Sequence, residues 1–482
     1  VVAMLLVLLV TGAWLLLFYR VGTPWESVAS ITASRWTGTW VRGVHRFASD
    51  GAVLAVLAHM IRMVAQRRTW GPRALAWFSG VILLGVFLLS AWTGFVMVWD
   101  SFGRMLAIEG ARIFDALPIL SEPVGRTFVA EHNPPGAFFF FNLFLHVALP
   151  LGMGVLLLLH VSRLARASLL PPRRLTWGLI GLLVAIAVLW PVTMAPQGDP
   201  FTRPGTVPID WWFAFWLPFT TRLSPGVVWL LGLGTVVALL LVPRMTRPRA
   251  GTAPPISQVD HSLCTGCIQC SLDCPFTAIT MVPRTDGRAD LVAEVDPDRC
   301  VSCGICAGSC APMGVGPPGR TGRDQLERIR PLAAAGALTG RTIVIACEQG
   351  AWRHRAELEA AGALVQATPC AGNLHSSVVE IAIRGGARGV LVLSCPPRDC
   401  HGREGPKWLV ERLFHDREAE LQARVDRRRV AVGYARSGAP VEALGELRQF
   451  TETLDAFEPP PPLSGLEIAA ICEPVLVEEE AR

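Results

Sequence analysis

Charged residues are scarce in this chain and make up 17% of its 482 residues, against about 25% in ordinary soluble proteins. Hydrophobic residues make up 51%, and the mean hydropathy is +0.41. This composition argues against an ordinary cytosolic enzyme. The net charge is only +5, and the arginines lie beside apolar runs, so we expect no nucleic-acid partner.

Cysteine is missing from the first half, because all thirteen cysteines lie between Cys264 and Cys472. This excludes a disulfide framework for the apolar half and indicates metal or redox chemistry in the second half. The sequence also has no G-x-G-x-x-G motif after a strand and no Walker loop. Substrate chemistry such as hydride transfer is therefore expected in another subunit.

Apolar runs fill the first half, and six are long enough to cross a bilayer, which takes about 20 residues. They lie near 1–19, 42–64, 76–99, 138–161, 175–194 and 226–243. The first has no initiator Met or basic leader, so we expect the chain to start inside its first helix. An aromatic stretch at 208–219 suits a membrane interface.

Arginines are concentrated in the loops that follow the second, fourth and sixth predicted spans. They are Arg62, Arg67, Arg68, Arg73, Arg163, Arg166, Arg173, Arg174, Arg244, Arg247 and Arg249. The positive-inside rule places these loops, and with them the whole second half, in the cytoplasm. We therefore expect a multi-pass protein of a bacterial or archaeal cytoplasmic membrane, with its cysteines in a reducing compartment.

Two predicted membrane helices each carry a pair of histidines: His45 and His59 on one, His146 and His160 on the other. Each pair is separated by 14 residues, close to four helical turns, so both side chains project from one face about 21 Å apart. A single histidine could merely hydrogen-bond a neighbouring helix. The repeated spacing favours two bis-imidazole haem sites, one near each membrane surface. Gly80 and Gly94 on the intervening helix are also 14 apart and would let flat macrocycles approach the backbone.

The membrane half resembles the cytochrome b of quinol-oxidising bc and bf complexes, in the shorter form found in photosynthetic complexes. The similarity covers about 5–165 and lies in Thr-Gly-Ala-Trp at 11–14, in the segments around the histidines and in 92–100. It implies two b haems, with His45 and His146 on the outer one and His59 and His160 on the inner one. It also implies that Arg42 lies near a haem propionate and that the cytochrome b part is a homodimer.

A fainter similarity to the same family continues past residue 190. Pro208-Ile-Asp210-Trp-Trp resembles the segment that carries the carboxylate of the family's outer quinol site, with Asp in place of Glu and Trp in place of Tyr. The resemblance implies a quinone-site role for Asp210. The alternative is an ordinary acidic loop residue.

Eight cysteines form two runs with the C-x2-C-x2-C-x3-C spacing of bacterial ferredoxins, in which the fourth cysteine ligates the other cluster. The first predicted [4Fe–4S] cluster takes Cys264, Cys267, Cys270 and Cys310, and the second takes Cys300, Cys303, Cys306 and Cys274. Zinc sites fit cysteine pairs better than such triplets. The sequence therefore predicts two [4Fe–4S] clusters.

The last part alternates apolar strands, near 342–346, 363–366, 389–393 and 429–433, with helical stretches, which predicts an open parallel sheet. Cysteines follow three of the strands: Cys347, Cys370 and Cys395, with Cys400 five residues later. Because sites in open sheets lie at the carboxyl ends of the strands, we expect these four to hold one more cluster. Unliganded buried cysteines are the alternative.

This last part resembles the delta subunit of methyl-viologen-reducing hydrogenase. The similarity lies in Thr368-Pro-Cys370-Ala-Gly, in Ala387 to Cys395 and in Asp399-Cys400-His401, over about 340–415. It implies that the four cysteines hold a [2Fe–2S] cluster, with Cys347 the least typical ligand. His401 is expected near the cluster or at the surface.

The predicted architecture is therefore an all-α di-haem membrane bundle followed by an α+β ferredoxin domain and an α/β parallel-sheet domain. The predicted boundaries are 1–165 for the di-haem domain, 166–243 for two further spans, 244–258 for a linker, 259–320 for the ferredoxin domain and 335–475 for the sheet domain. We expect an electron-transfer subunit that connects a cytoplasmic flavin, NAD(P)H, ferredoxin, hydrogenase or formate dehydrogenase partner to membrane quinone. One alternative is a variant cytochrome bc subunit that oxidises quinol with Rieske and cytochrome c partners. Another is a haem and iron–sulfur redox sensor.

Overall fold

A computed structural model describes the chain except at 35, 67, 118–121, 129–133, 163–168, 202–209, 250–254 and 459–482. Cys472 and the start of the predicted interfacial stretch, at 208–209, lie outside the described residues. The chain folds as two compact units, Val1–Arg247 and Pro248–Arg482.

The first unit is helical. Its helices are α1 (Val2–Leu16), α2 (Pro24–Ala33), α3 (Gly38–Ala65), α4 (Ala74–Val98), α5 (Ser101–Phe114), α6 (Gly136–Ser162), α7 (Arg173–Leu189), α8 (Leu217–Thr220) and α9 (Pro225–Met245). Four of them, α3, α4, α6 and α9, are long and apolar enough to cross a membrane.

The first and fifth predicted spans form shorter helices than expected. Helix α1 has 15 residues and α7 has 17, below the roughly 20 that a crossing needs. The expectation of six full spans is therefore met by four of the described helices. Apolar composition alone did not fix where these two helices end.

Small residues bring the helices of the first unit together. Ala48 and Ala52 on α3 and Ala187 on α7 are fully buried. A Cβ at Gly43 would lie 2.9 Å from the Ala187 Cβ, so α3 and α7 approach closely at this point. Small residues at helix contacts are typical of membrane bundles, where close packing replaces the hydrophobic effect between helices.

In its described residues, the second unit contains short helices and eight strands. Its helices are α10 (Gln269–Asp273), α11 (Ile305–Gly308), α12 (Gly322–Ala334), α13 (Arg355–Ala360), α14 (Ser376–Arg384), α15 (Gly405–Phe414) and α16 (Pro440–Asp455). Its strands are β1 (Gln258–Val259), β2 (Ile279–Pro283), β3 (Leu291–Val295), β4 (Val315–Gly316), β5 (Thr342–Cys347), β6 (Leu364–Thr368), β7 (Gly389–Ser394) and β8 (Val430–Tyr434).

The strands form two antiparallel pairs and one parallel sheet. Strand β1 pairs with β4 and β2 with β3, whereas the sheet has the order β6-β5-β7-β8 with all neighbours parallel. Every residue of β5 and β7 is buried, as expected for central strands covered on both faces. The predicted multidomain fold class is confirmed.

Candidate redox centres

The structure brings the membrane histidines together in two pairs. The imidazole of His45 on α3 lies near that of His146 on α6, and that of His59 lies near that of His160. These are the pairs that the resemblance to cytochrome b implies. Two facing imidazoles are the donor set that a six-coordinate haem iron takes.

Hydrogen bonding fixes the tautomer of His45. The Thr11 hydroxyl on α1 donates its hydrogen to the Val7 carbonyl at 2.7 Å, and its oxygen lies 2.9 Å from His45 Nδ1. Because a hydroxyl has one hydrogen, Nδ1 must be the donor in the second contact. The proton therefore sits on Nδ1, and the lone pair needed for iron is on Nε2.

His146 and His160 are oriented in the same way by α4. The Nδ1 of His146 is 2.8 Å from the Ser90 carbonyl, which can only accept. The Nδ1 of His160 is 2.9 Å from the Ser79 hydroxyl, which itself donates to the Leu75 carbonyl. In both histidines Nε2 is again the nitrogen available for a metal. A partner that fixes the other ring nitrogen is a regular feature of metal-binding histidines.

Glycines lie beside three of these rings. A Cβ at Gly94 would lie 2.8 Å from His146 Cε1, one at Gly12 3.2 Å from His45 Cε1, and one at Gly80 3.5 Å from His160 Cε1. In the structure Gly80 and Gly94 thus adjoin the imidazoles, a role that the sequence interpretation did not foresee.

Each of these three glycines directly follows a residue whose hydroxyl contacts the same histidine, and sequence reasoning missed these hydroxyls. They are Thr11, Ser79 and Thr93. The signal that could have revealed them is the recurrence of a Ser/Thr-Gly pair with the same spacing of 14 residues on α4.

Arg42 and Asp210 make local contacts. The Arg42 Nη1 donates to the Val192 carbonyl at 2.9 Å. One carboxylate oxygen of Asp210 accepts from the backbone amides of Trp212 and Phe213 at 3.0 and 2.8 Å. The other forms an ion pair with Arg46. A haem-propionate role for Arg42 and a quinone role for Asp210 stay predictions.

The two ferredoxin-like runs interlock. Cys264, Cys267, Cys270 and Cys310 line one pocket, and Cys303 has Cys300, Cys306 and Cys274 as its neighbours. The fourth cysteine of each run thus lies with the other run, in the arrangement predicted for two clusters.

The loops of both runs share one backbone conformation. Positive φ angles occur at Gly266 and Ile268 in the first run (73° and 63°) and at Ser302 and Gly304 in the second (57° and 74°). These are equivalent positions of the two motifs, so each loop turns around its cysteines in the same way. Ile268 and Ser302 adopt a conformation that costs free energy for residues other than glycine.

The chemistry of these thiols fits iron–sulfur clusters. Burial raises the pKa of Cys306 to about 12 and that of Cys310 to about 11, so the thiolate form needs a strong positive charge nearby. Bound iron supplies that charge. The Ala278 amide, 3.3 Å from Cys274 Sγ, and the Ser257 hydroxyl, 3.3 Å from Cys306 Sγ, are contacts of the kind that tune cluster potential.

The four remaining described cysteines form a third site, at the carboxyl ends of the parallel strands. Cys347 ends β5, Cys370 follows β6 and Cys395 follows β7, and with Cys400 they form one buried cluster. The Sγ atoms of Cys347 and Cys395 are 3.7 Å apart. That contact lowers the pKa of Cys347.

Glycines surround this four-cysteine site. A Cβ at Gly405 would lie 2.8 Å from Cys370 Sγ, one at Gly402 3.1 Å from the same atom, and one at Gly350 3.3 Å from Cys395 Sγ. Four converging thiols, bordered by glycines that have no side chains, fit an iron–sulfur cluster. Within the described ranges, no three His, Cys, Asp or Glu side chains are arranged around a single metal ion. His401 is half-buried.

Three families match successive parts of the chain. Residues 1–168 match cytochrome b/b6/petB, 263–314 match the 4Fe-4S dicluster domain, and 343–458 match the delta subunit of methyl-viologen-reducing hydrogenase. The resemblances seen in the sequence are confirmed. The matches support an electron-transfer role in a membrane, with haem b and iron–sulfur centres.

Curated relatives match the cytochrome b part. The chain is 28% identical over 124 residues to the menaquinol:cytochrome c reductase cytochrome b subunit of Bacillus subtilis (strain 168), and 32% identical over 118 residues to the cytochrome b6 of Heliobacterium mobile. These alignments cover 25% and 24% of the chain and 55% of each relative. The chain thus spans about half the length of these relatives.

A longer alignment and a solved structure extend the comparison. The cytochrome b of Acanthamoeba castellanii is 25% identical over 269 residues, which cover 48% of this chain and 68% of that protein. A chain of a hyperthermophilic respiratory complex III aligns with a TM-score of 0.41 and 17% identity, covering 50% of this chain and 73% of that chain.

Proposed function

We propose that this chain carries electrons between a cytoplasmic low-potential partner and the quinone pool of a membrane. The partner is a flavoprotein, ferredoxin, dehydrogenase or hydrogenase subunit. The observation that carries the proposal is the presence, in one chain, of two neighbouring histidine pairs in long apolar helices and three converging sets of cysteines. When bound, haem and iron–sulfur groups supply one-electron transfer. The chain would then carry electrons, and the substrate chemistry would belong to a partner.

The chain's residues divide the task of holding these groups. His45 with His146 and His59 with His160 would ligate two b haems through Nε2. The two interlocked sets of four cysteines would hold two [4Fe–4S] clusters, and the four-cysteine site would hold a [2Fe–2S] cluster. The arginine-rich loops support a cytoplasmic position for the second unit, where a soluble partner could reach it.

The proposal is tested by a donor-to-quinone assay on the purified full-length protein in lipid vesicles. With reduced viologen as donor, we expect anaerobic reduction of a quinone analogue and, by pyridine haemochrome, two b haems per chain. A single haem per chain would overturn the histidine pairing. No quinone-dependent steady-state rate would overturn the proposed function and favour a redox sensor.

A second candidate is a quinol-oxidising subunit of a cytochrome bc complex with Rieske and cytochrome c partners. It is favoured by the similarity to a menaquinol:cytochrome c reductase subunit. In this candidate Asp210 would accept a proton from quinol at the outer surface.

We expect Asp210→Asn to leave quinol oxidation close to the unmodified rate. The carboxylate is already paired with Arg46, and an asparagine oxygen can still accept from the Trp212 and Phe213 amides. Loss of the ion pair should instead reduce stability, by about 1–3 kcal/mol, measured as a lower thermal midpoint. A fall of about a hundredfold in the quinol oxidation rate, as loss of a general base gives, would support the second candidate.

A further inference from the structure

A fully buried arginine lies where the ferredoxin-like part meets the parallel sheet. The Arg412 side chain, on α15, is 1% exposed. Its Nη1 donates to the Ser309 hydroxyl at 2.9 Å, and its Nη2 donates to the Gly372 carbonyl at 2.8 Å. Ser309 precedes Cys310, and Gly372 follows Cys370 by two residues. One guanidinium thus connects a ferredoxin-like run to the four-cysteine site.

The side chains around Arg412 carry more positive than negative charge. The Asp273 carboxylate lies 3.9 Å from Arg412 Nη1, but it also accepts from Arg417 Nε at 3.0 Å and from the Ser309 hydroxyl at 2.7 Å. Two cations therefore share one carboxylate. Burial lowers the pKa of Arg412 to about 10, so the side chain keeps its charge at neutral pH.

A buried charge without a matching opposite charge is costly, and the cysteine sites provide the match. Arg412 lies within electrostatic range of Cys370 on one side and of Cys306 on the other. An iron–sulfur cluster held by four thiolates carries net negative charge. The excess positive charge of the junction is thus compensated once both cysteine sets hold clusters.

The two cysteine sets share a wall that leaves no room for side chains. A Cβ at Gly402 would lie 3.1 Å from Cys370 Sγ and 3.6 Å from Cys303 Cβ. A Cβ at Gly308 would lie 2.5 Å from the Gly372 carbonyl oxygen and 2.6 Å from Arg412 Nη2. Close backbone approach at this junction brings Cys303 of the second run beside Cys370 of the four-cysteine site.

We propose that Arg412 is a positioning residue that holds the four-cysteine site against the cysteines of the second run and raises the reduction potential of both. The inference rests on the proposed function and adds the order in which the clusters exchange electrons. With clusters bound at both sites, one electron would pass directly between them, with no bond made or broken and no proton moved. The cluster of Cys264, Cys267, Cys270 and Cys310 lies beyond the second-run cluster in this order.

The test is an electron paramagnetic resonance redox titration of the full-length protein and three variants. Arg412→Gln removes the charge, Arg412→Lys keeps it, and Arg417→Gln is the control, because Arg417 also pairs with Asp273 but is 25% exposed. With Arg412→Gln we expect the reduced-to-oxidised ratio of both clusters to fall about tenfold at a fixed potential, which corresponds to about 59 mV. Arg412→Lys should restore most of this ratio, and Arg417→Gln should change it less.

A second measurement does not depend on Arg412. Cys395→Ser, which removes a ligand of the four-cysteine site, should abolish the magnetic coupling between the cluster of that site and the second-run cluster, and it should leave the coupling between the two ferredoxin-type clusters in place. Unchanged potentials in Arg412→Gln, or coupling lost at the first-run cluster instead, would overturn the inference. Neither measurement uses quinone or a partner, so a potential shift without donor-to-quinone transfer would keep this inference and overturn the proposed function.

Discussion

Replacing Cys395 by Ser is expected to abolish electron transfer from a cytoplasmic donor to quinone while both haems stay reducible by a quinol analogue. Cys395 is buried at the end of β7, with its Sγ 3.7 Å from that of Cys347, so losing it removes one of four converging ligands. The histidine pairs are in the other compact unit and keep all their contacts. Two quantities are measured: the rate of electron transfer from donor to quinone, and the haem absorption spectrum after addition of the quinol analogue.

Ser394→Ala is the matched control for this variant. Ser394 precedes Cys395 and is equally buried, at 1% exposure against 5%, but it contributes no thiol. We expect the control to keep the full rate. A Cys395→Ser protein with the same rate as the control would show that the four-cysteine site is peripheral to the path, and the quinol-oxidising candidate would then be favoured.

A point substitution is preferable to deletion of the last part of the chain. The sheet and the ferredoxin-like part bury contacts between them, such as the bond from Asn373 Nδ2 to the Gly304 carbonyl at 3.0 Å. Deletion would expose this surface and leave the buried Asp273 without either arginine. The loss of activity could then come from unfolding of the ferredoxin-like part.

Features that repeat along the chain could be predicted from the sequence. The 14-residue spacing predicted that the two histidines of each helix share one face, because helical geometry fixes that face, and the resemblance to cytochrome b implied how they pair across helices. The four apolar runs of the sheet domain became β5 to β8, close to their predicted bounds. The cysteines placed just after parallel strands met at one sheet edge, because the carboxyl ends of parallel strands lie at the same edge.

Features that depend on contacts between distant segments could not be predicted. Nothing near Arg412 in the sequence indicates that it contacts Ser309, 103 residues earlier. The ion pair of Asp210 with Arg46 likewise joins residues 164 positions apart. The hydroxyls beside the histidines were missed for a different reason. Serine and threonine are ordinary residues in membrane helices, and these ones are recognisable only from the glycine that follows each of them.

Gly94→Ala is expected to remove one of the two b haems, whereas Gly80→Ala and Gly85→Ala keep both. All three glycines are on α4, and alanine is the better helix former by about 1 kcal/mol, so none of the changes should weaken the helix itself. The added methyl group would lie 2.8 Å from His146 Cε1 at position 94 and 3.5 Å from His160 Cε1 at position 80, and it would meet nothing within 4 Å at position 85.

The histidine must give way at position 94 because the helices are fastened there. The Asn142 side-chain amide on α6 donates to the Thr93 carbonyl on α4 at 2.8 Å, which opposes separation of the two backbones. The imidazole of His146 therefore rotates away from its Nδ1 acceptor at Ser90, and the direction of Nε2 is lost with it. Pyridine haemochrome analysis should give about half the unmodified haem content for Gly94→Ala, with a single remaining low-spin species held by His59 and His160. Full haem content in Gly94→Ala, or an equal loss in Gly85→Ala, would contradict a haem held by His146.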